Sequence, residues 1–299
     1  MRDAWPMLIA VDGSEHALAA ARCWSTWQGA DPPHPVLLSV VPPAPYPWAG
    51  AGEDLVRIER DALALGEQRL RPARDAVAAA QRPCEVAVRI GAPADVIVNE
   101  ATHRRVALIA LGTRGLTPLR GLLAGSVALR VAQTSPLPLW FSPPGAACPP
   151  TLGRRLRLLV AVDGSDSACA AARWAADAPA HFGDVHAELL CVQPAFSPFE
   201  GLMDAAAGRF DHWGERIGRD AIEAARAAMG DGPARVEGTV RTGEAAETVI
   251  ARAEEIGADA IVVGPRGLGA VGQTLLGSVT SALLQVSHRP VVVVPSGAA

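Results

Sequence analysis

Short, almost wholly apolar runs alternate along the chain with longer stretches whose apolar positions recur at helical spacing, and the same alternation is written twice. The short runs fall at residues 8–12, 36–41, 84–90, 106–111 and 137–141, and again near 156–163, 185–192, 234–241, 260–264 and 290–294. Such near-continuous Val, Ile and Leu predicts strands buried on both faces, and the helical stretches between them are the crossovers that parallel strands require. Helices are expected to start after Ser14, Gly91 and Gly125 and after their later counterparts. Pro72 lies inside the second helical stretch of the first half, so a break or kink is predicted there.

The repetition extends to individual residues. Val11-Asp12-Gly13-Ser14 returns as Val162-Asp163-Gly164-Ser165, 151 positions on. Gly91-Ala92-Pro93, Gly112-Thr113-Arg114-Gly115 and Gly125-Ser126-Val127 return as Gly243-Glu244-Ala245, Gly264-Pro265-Arg266-Gly267 and Gly277-Ser278-Val279, each 152 positions on. Matched blocks in one order indicate a duplicated domain. The length of 299 residues, about twice that of a common compact domain, agrees. We place one domain at residues 1–145, a Pro- and Gly-rich connector at 146–155, and a second domain at 156–299.

Composition narrows the chemistry. All 27 basic residues are arginine, which removes the Walker A loop, the Schiff-base lysine and the kinase strand lysine at once. The five cysteines and seven histidines are dispersed, with no metal-ligand spacing among them, and buried thiols are the simplest reading. A net charge of −4 does not suggest a nucleic-acid partner. No apolar run approaches the roughly 20 residues needed to cross a bilayer, and the expected location is cytoplasmic.

Right-handed crossovers with helices on both faces require the strand order to reverse within each sheet, and ligands of open α/β sheets bind at that reversal, beside the carboxyl ends of the strands. Asp12-Gly13 ends the first strand and Gly112 the fourth; Asp163-Gly164 and Gly264 do so in the second half. The fourth-strand segments read Gly112-x2-Gly115-x9-Gly125-Ser126 and Gly264-x2-Gly267-x9-Gly277-Ser278. Glycines that turn through positive φ and bring amides close to a ligand, followed by a helix N-terminus, favour phosphate. Ser126 and Ser278 suit helix N-caps or phosphate contacts, and Arg114 and Arg266 can add charge-assisted bonds. No acid follows Glu100 in the first half or Asp259 in the second, so both loops are free of negative charge. A magnesium ion there would be held by nucleotide phosphates and water, with Asp12 or Asp163 as the available carboxylates. His16 is expected to be a solvated first-turn residue. Residues 267–272 spell a dinucleotide fingerprint, but after a fourth strand and with no acid downstream, so the match is taken as coincidence.

These residues resemble the universal stress protein family: a first strand ending in Val-Asp-Gly-Ser and a Gly-x2-Gly-x9-Gly-Ser loop, both present twice. The resemblance implies two Rossmann-like, adenine nucleotide α-hydrolase-like domains, each a five-stranded parallel sheet of order 3-2-1-4-5 with helices on both faces. It implies ATP as ligand, with Asp12 and Asp163 facing the adenosine and Val40 and Val192 the adenine. Gly112, Arg114, Gly115, Gly125, Ser126 and Val127 would line the triphosphate, as would Gly264, Arg266, Gly267, Gly277, Ser278 and Val279. The expected role is regulatory and stress-associated rather than enzymatic, with at most slow ATP hydrolysis. The two domains are expected to form an intramolecular pseudo-dimer that can pair further into a homodimer. A protein-interaction module with vestigial pockets and a nucleotidyl-transfer enzyme are the alternatives; the second is disfavoured because Asp12-Gly13-Ser14 stands where a Ser-Gly-Gly loop would be. Pro265 replaces the small polar residue more common in that family, and the amide it removes is expected to weaken the second loop relative to the first, which keeps Thr113.

Overall fold

A computed structural model describes residues 5–25, 27, 33–43, 52–115, 125–143, 145, 155–194, 213–230, 235–268 and 276–297. The chain divides into two compact units, Met1–Thr151 and Leu152–Ala299. Of the predicted connector, only Arg155 falls among the described residues.

The first unit runs β1 (Pro6–Ala10), α1 (Glu15–Ser25), β2 (His34–Val41), α2 (Gly52–Ala79), β3 (Glu85–Ile90), α3 (Pro93–His103), β4 (Leu108–Gly112), α4 (Ser126–Thr134) and β5 (Leu139–Ser142). Its strands are all parallel and lie in the order β3-β2-β1-β4-β5. The second unit runs β6 (Leu156–Ala161), α5 (Asp166–Asp177), α6 (Pro179–Phe182), β7 (Val185–Gln193), α7 (Trp213–Met229), β8 (Arg235–Thr242), α8 (Ala245–Glu255), β9 (Ala260–Val263), α9 (Ser278–Val286) and β10 (Val291–Val293). Its order is β8-β7-β6-β9-β10, again parallel throughout. Both are Rossmann-like sheets in which the strand after the third crossover returns to the far side of the first, the order that the resemblance implies.

Helices cover the two faces in pairs: α1 packs on α2 and α3 on α4, with α5 on α7 and α8 on α9 in the second unit. The central strands are therefore dry, with Met7, Leu8, Ile9, Ile109 and Ala110, or Leu158, Leu159, Val160, Ile261 and Val262, fully buried. Each such Leu, Ile or Val contributes about 1.5–3 kcal/mol by leaving water. The outer strand β3 differs: Glu85, Val86, Arg89 and Ile90 are exposed, because an edge strand has a neighbour on one side only.

Two sequence expectations change. The first strands end two residues early, at Ala10 and Ala161, because Asp12 and Asp163 belong to a tight turn through Gly13 (φ +90°) and Gly164 (φ +88°). The predicted break at Pro72 is absent, since α2 continues through it to Ala79. A mid-helix proline costs roughly 3 kcal/mol, and the flanking Leu70, Ala73 and Val77 are all buried, which offsets that cost.

Candidate functional site

The turn after β1 is held by its own side chains. The Ser14 amide donates to Asp12 Oδ1 at 2.9 Å, and Ser14 Oγ accepts the Ala17 amide at 3.2 Å, capping α1. The second unit repeats this: the Ser165 amide donates to Asp163 Oδ1 at 3.0 Å and Ser165 Oγ accepts the Ala168 amide at 3.2 Å. There the aspartate also reaches across to the loop after β9, its Oδ2 accepting the Leu268 amide at 2.9 Å. The carboxylate is thus a clasp between the end of the first strand and the glycine loop.

The motif glycines are required for space. None of Gly112, Gly115, Gly125, Gly264, Gly267 and Gly277 has positive φ, contrary to the sequence expectation. A Cβ on Gly112 would stand 2.8 Å from the His16 backbone, because the first turn of α1 presses on the end of β4. One on Gly115 would stand 2.6 Å from Asp12 Oδ2, and one on Gly125 would meet the Gly115 amide nitrogen at 3.4 Å and Arg114 Cα at 3.5 Å. In the second unit, Gly264 is pressed by Ser167, Gly267 by the Asp163 carboxylate and Gly277 by Arg266 Cα at 3.3 Å. The loop can pack this closely against the first-strand turn and the start of the first helix only because its motif positions carry no Cβ.

The same crowding settles the helix starts. Gly125 and Gly277 hold the N-cap positions, and their amides are spent on Thr113 O at 2.9 Å and Pro265 O at 2.8 Å. Ser126 and Ser278 are therefore first helical residues rather than caps, and both are exposed. The amides of Ser126, Val127 and Ala128, like those at any helix start, have no intrahelical acceptor, and among the described residues none meets a backbone acceptor. Together with the helix dipole, worth about half a positive charge, they make an anion-binding end. Ser278, Val279 and Thr280 do the same at α9.

Pro265 has a different consequence from the expected one. Its counterpart Thr113 donates its amide to Ser142 O in β5, at 3.3 Å, so that hydrogen serves the β4–β5 ladder and not the cleft. Proline removes a ladder bond and leaves the anion end unchanged.

Each unit opens a cleft at this point. Asp12, Val40, Gly112, Arg114, Gly115, Gly125, Ser126 and Val127 all line the first, of 220 Å³. Asp163, Val192, Gly264, Arg266, Gly267, Gly277, Ser278 and Val279 all line the second, of 410 Å³. The structure therefore gathers every residue singled out from the sequence. It adds Pro93 and Ile97 of α3, and Ala245 and Val249 of α8, which stand one turn apart just after Gly91 and Gly243 and could have been read from that spacing. It also adds Arg69 of α2, which nothing in its own helix distinguishes from the other arginines there.

His16 is half-buried rather than fully solvated, and its buried Nδ1 meets no hydrogen-bond partner among the described residues. Burial first, and then the Arg114 charge, push the imidazole below its ordinary range, against a smaller upward pull from Asp12. Residues 269–272 of the fingerprint-like run lie outside the described residues. Among the described residues no helix is long and apolar enough to cross a membrane, and no group of three or more His, Cys, Asp or Glu is placed to hold a metal ion.

Residues 6–143 and 155–295 each match the profile of the Universal stress protein family. The chain belongs to that family, twice over. A universal stress protein of Mycolicibacterium smegmatis is 34% identical over 148 residues, which cover 46% of this chain and 47% of that one, so the match spans about half the length of that relative. A universal stress protein from Archaeoglobus fulgidus is similar in structure, with a TM-score of 0.67 over 98% of both chains at 22% identity. A functionally unknown protein from Pseudomonas aeruginosa follows with a TM-score of 0.56, 99% of this chain and 94% of that one covered, at 14% identity. Likeness at these identities establishes the shared fold.

Proposed function

We propose that this universal stress protein binds ATP in both clefts and acts as a regulatory, stress-associated nucleotide binder. The observation that carries the reading is the anion end in each unit: first-turn amides that meet no backbone acceptor among the described residues, an arginine (Arg114 or Arg266) and a carboxylate-free loop around a cleft with an apolar inner wall. Val40 and Val192, at the ends of β2 and β7, offer that wall to an adenine, and the helix ends face a triphosphate.

The lining suits holding a nucleotide better than consuming it. Asp163 has both oxygens engaged by amides, so it acts as a clasp and not as a general base, and Asp12 Oδ1 is engaged by the Ser14 amide in the same way as its counterpart. Magnesium fits as an ion carried by phosphates and water, which would neutralise charge on the triphosphate.

Nucleotide released by denaturing the purified chain, identified by chromatography, tests the reading alongside calorimetric titration with ATP and magnesium. Two bound nucleotides per chain are expected. No release and no heat at millimolar ATP would leave the clefts as vestiges.

A further inference from the structure

Among the described residues the two clefts carry different charge, and the difference comes from one helix position. The stem of Arg69 in α2 lies across the Gly13 turn: a Cβ on Gly13 would meet Arg69 Cγ at 3.1 Å, Cβ at 3.5 Å and Cα at 3.7 Å. The stem is pinned there, and the side chain lines the first cleft. At the same place in the second unit, against Gly164, stands Ala221, with its Cβ at 3.6 Å and its Cα at 3.8 Å. Ala221 is buried, and among the described residues α7 gives the second cleft no lining residue. The described ionisable groups of the first cleft are therefore Asp12, Arg69 and Arg114, a net positive charge; those of the second are Asp163 and Arg266, which cancel. The first cleft is also the smaller, 220 Å³ against 410 Å³, as the larger side chain predicts.

We infer that Arg69 is a specificity-determining residue that makes the first cleft select the more highly charged members of an adenine nucleotide series, while the second, neutral and roomier, discriminates less. The inference rests on the nucleotide reading above. A second guanidinium in a confined cleft strengthens with each phosphate charge added to the ligand, and one charge-assisted bond corresponds to about a tenfold change in affinity or more. An arginine there for packing alone would alter stability and leave the ratio of affinities between nucleotides untouched.

The test is calorimetric titration of the full chain with ATP and with AMP at low salt, with one cleft silenced at a time. Gly267→Val leaves the first cleft to be read and Gly115→Val leaves the second. The AMP-to-ATP ratio of Kd should be higher in the first cleft than in the second. It should fall about tenfold with Arg69→Ala and return in large part with Arg69→Lys. Ala221→Arg, checked for folding by circular dichroism, should raise the ratio in the second. Binding in both clefts with equal ratios, or a first-cleft ratio unmoved by Arg69→Ala, overturns the inference and leaves the nucleotide reading standing. Failure of the unsubstituted chain to bind either nucleotide overturns both.

Discussion

A side chain on Gly115 would come within 2.6 Å of the Asp12 carboxylate, whereas one on Gly112 would press on the backbone of His16. Two glycines of one motif therefore answer to different demands. Gly112→Ala should destabilise the first unit by about 1–3 kcal/mol, the usual cost of overpacking, because helix backbone cannot step aside. Gly115→Ala should leave the urea midpoint nearly unchanged and weaken nucleotide binding in the first cleft at least tenfold, since it dislodges a clasp at an accessible loop. Equal stability losses from both would contradict this division.

Asp163 joins Ser165 and Leu268 through separate oxygens, at 3.0 Å and 2.9 Å. Asp163→Ala should accelerate hydrogen exchange at both amides and lower affinity in the second cleft by about an order of magnitude, the scale of one hydrogen bond to a charged group. Unchanged exchange at Leu268 would mean that the loop is held by other contacts.

Glu188 is a buried carboxylate on β7 that takes two bonds from Arg252 of α8, at 2.9 Å and 3.0 Å. Hydrogen bonding to Glu188 first, and then to Glu255, raises the Arg252 guanidinium above its ordinary range. Arg252→Ala strands the Glu188 charge, and urea unfolding of the second unit should show a loss of about 3–5 kcal/mol. The first unit has Val36 at the matching ladder position, opposite Leu8 as Glu188 is opposite Leu159. Glu188→Val with Arg252→Met should accordingly be neutral or stabilising.

His16 is held below its ordinary pKa of about 6.5 by burial and by Arg114. The unfolded chain then takes up this proton at higher pH than the folded one. The folded state keeps its full stability above the unfolded pKa and loses part of it as pH falls from there toward the folded value. His16→Ser, which installs the second unit's Ser167, should flatten that dependence in denaturant titrations between about pH 7 and 5. Phosphate beside Arg114 should move the imidazole pKa upward, visible by NMR on adding ATP.

The alternating strands and crossovers, and the meeting of the first-strand aspartates with the glycine loops, follow from pattern that the duplication reports twice, whereas the sheet order and the full lining follow from the resemblance. Asp12 and Asp163, or Gly115 and Gly267, share a place in two otherwise diverged contexts. What pattern missed depends on contacts between distant segments. The motif glycines read as positive-φ turns until the Asp12 carboxylate is found beside Gly115. Pro265 reads as a lost phosphate donor until Thr113 is seen bonded to Ser142. Pro72 reads as a helix break until Leu70, Ala73 and Val77 prove buried around it. Arg69 was visible only by setting the two halves side by side, where an arginine faces an alanine.

Trp5, Trp27 and Trp140 surround Trp24 with ring centroids 6.1, 5.7 and 5.2 Å away, and all four are buried in the first unit. Four of the seven tryptophans thus form one chromophore cluster, while Trp174 pairs with Phe182 in the second unit at 6.0 Å. Near-ultraviolet dichroism and indole emission will be dominated by the melting of one duplicate, so an optical trace that looks like a single transition reports on half of the molecule.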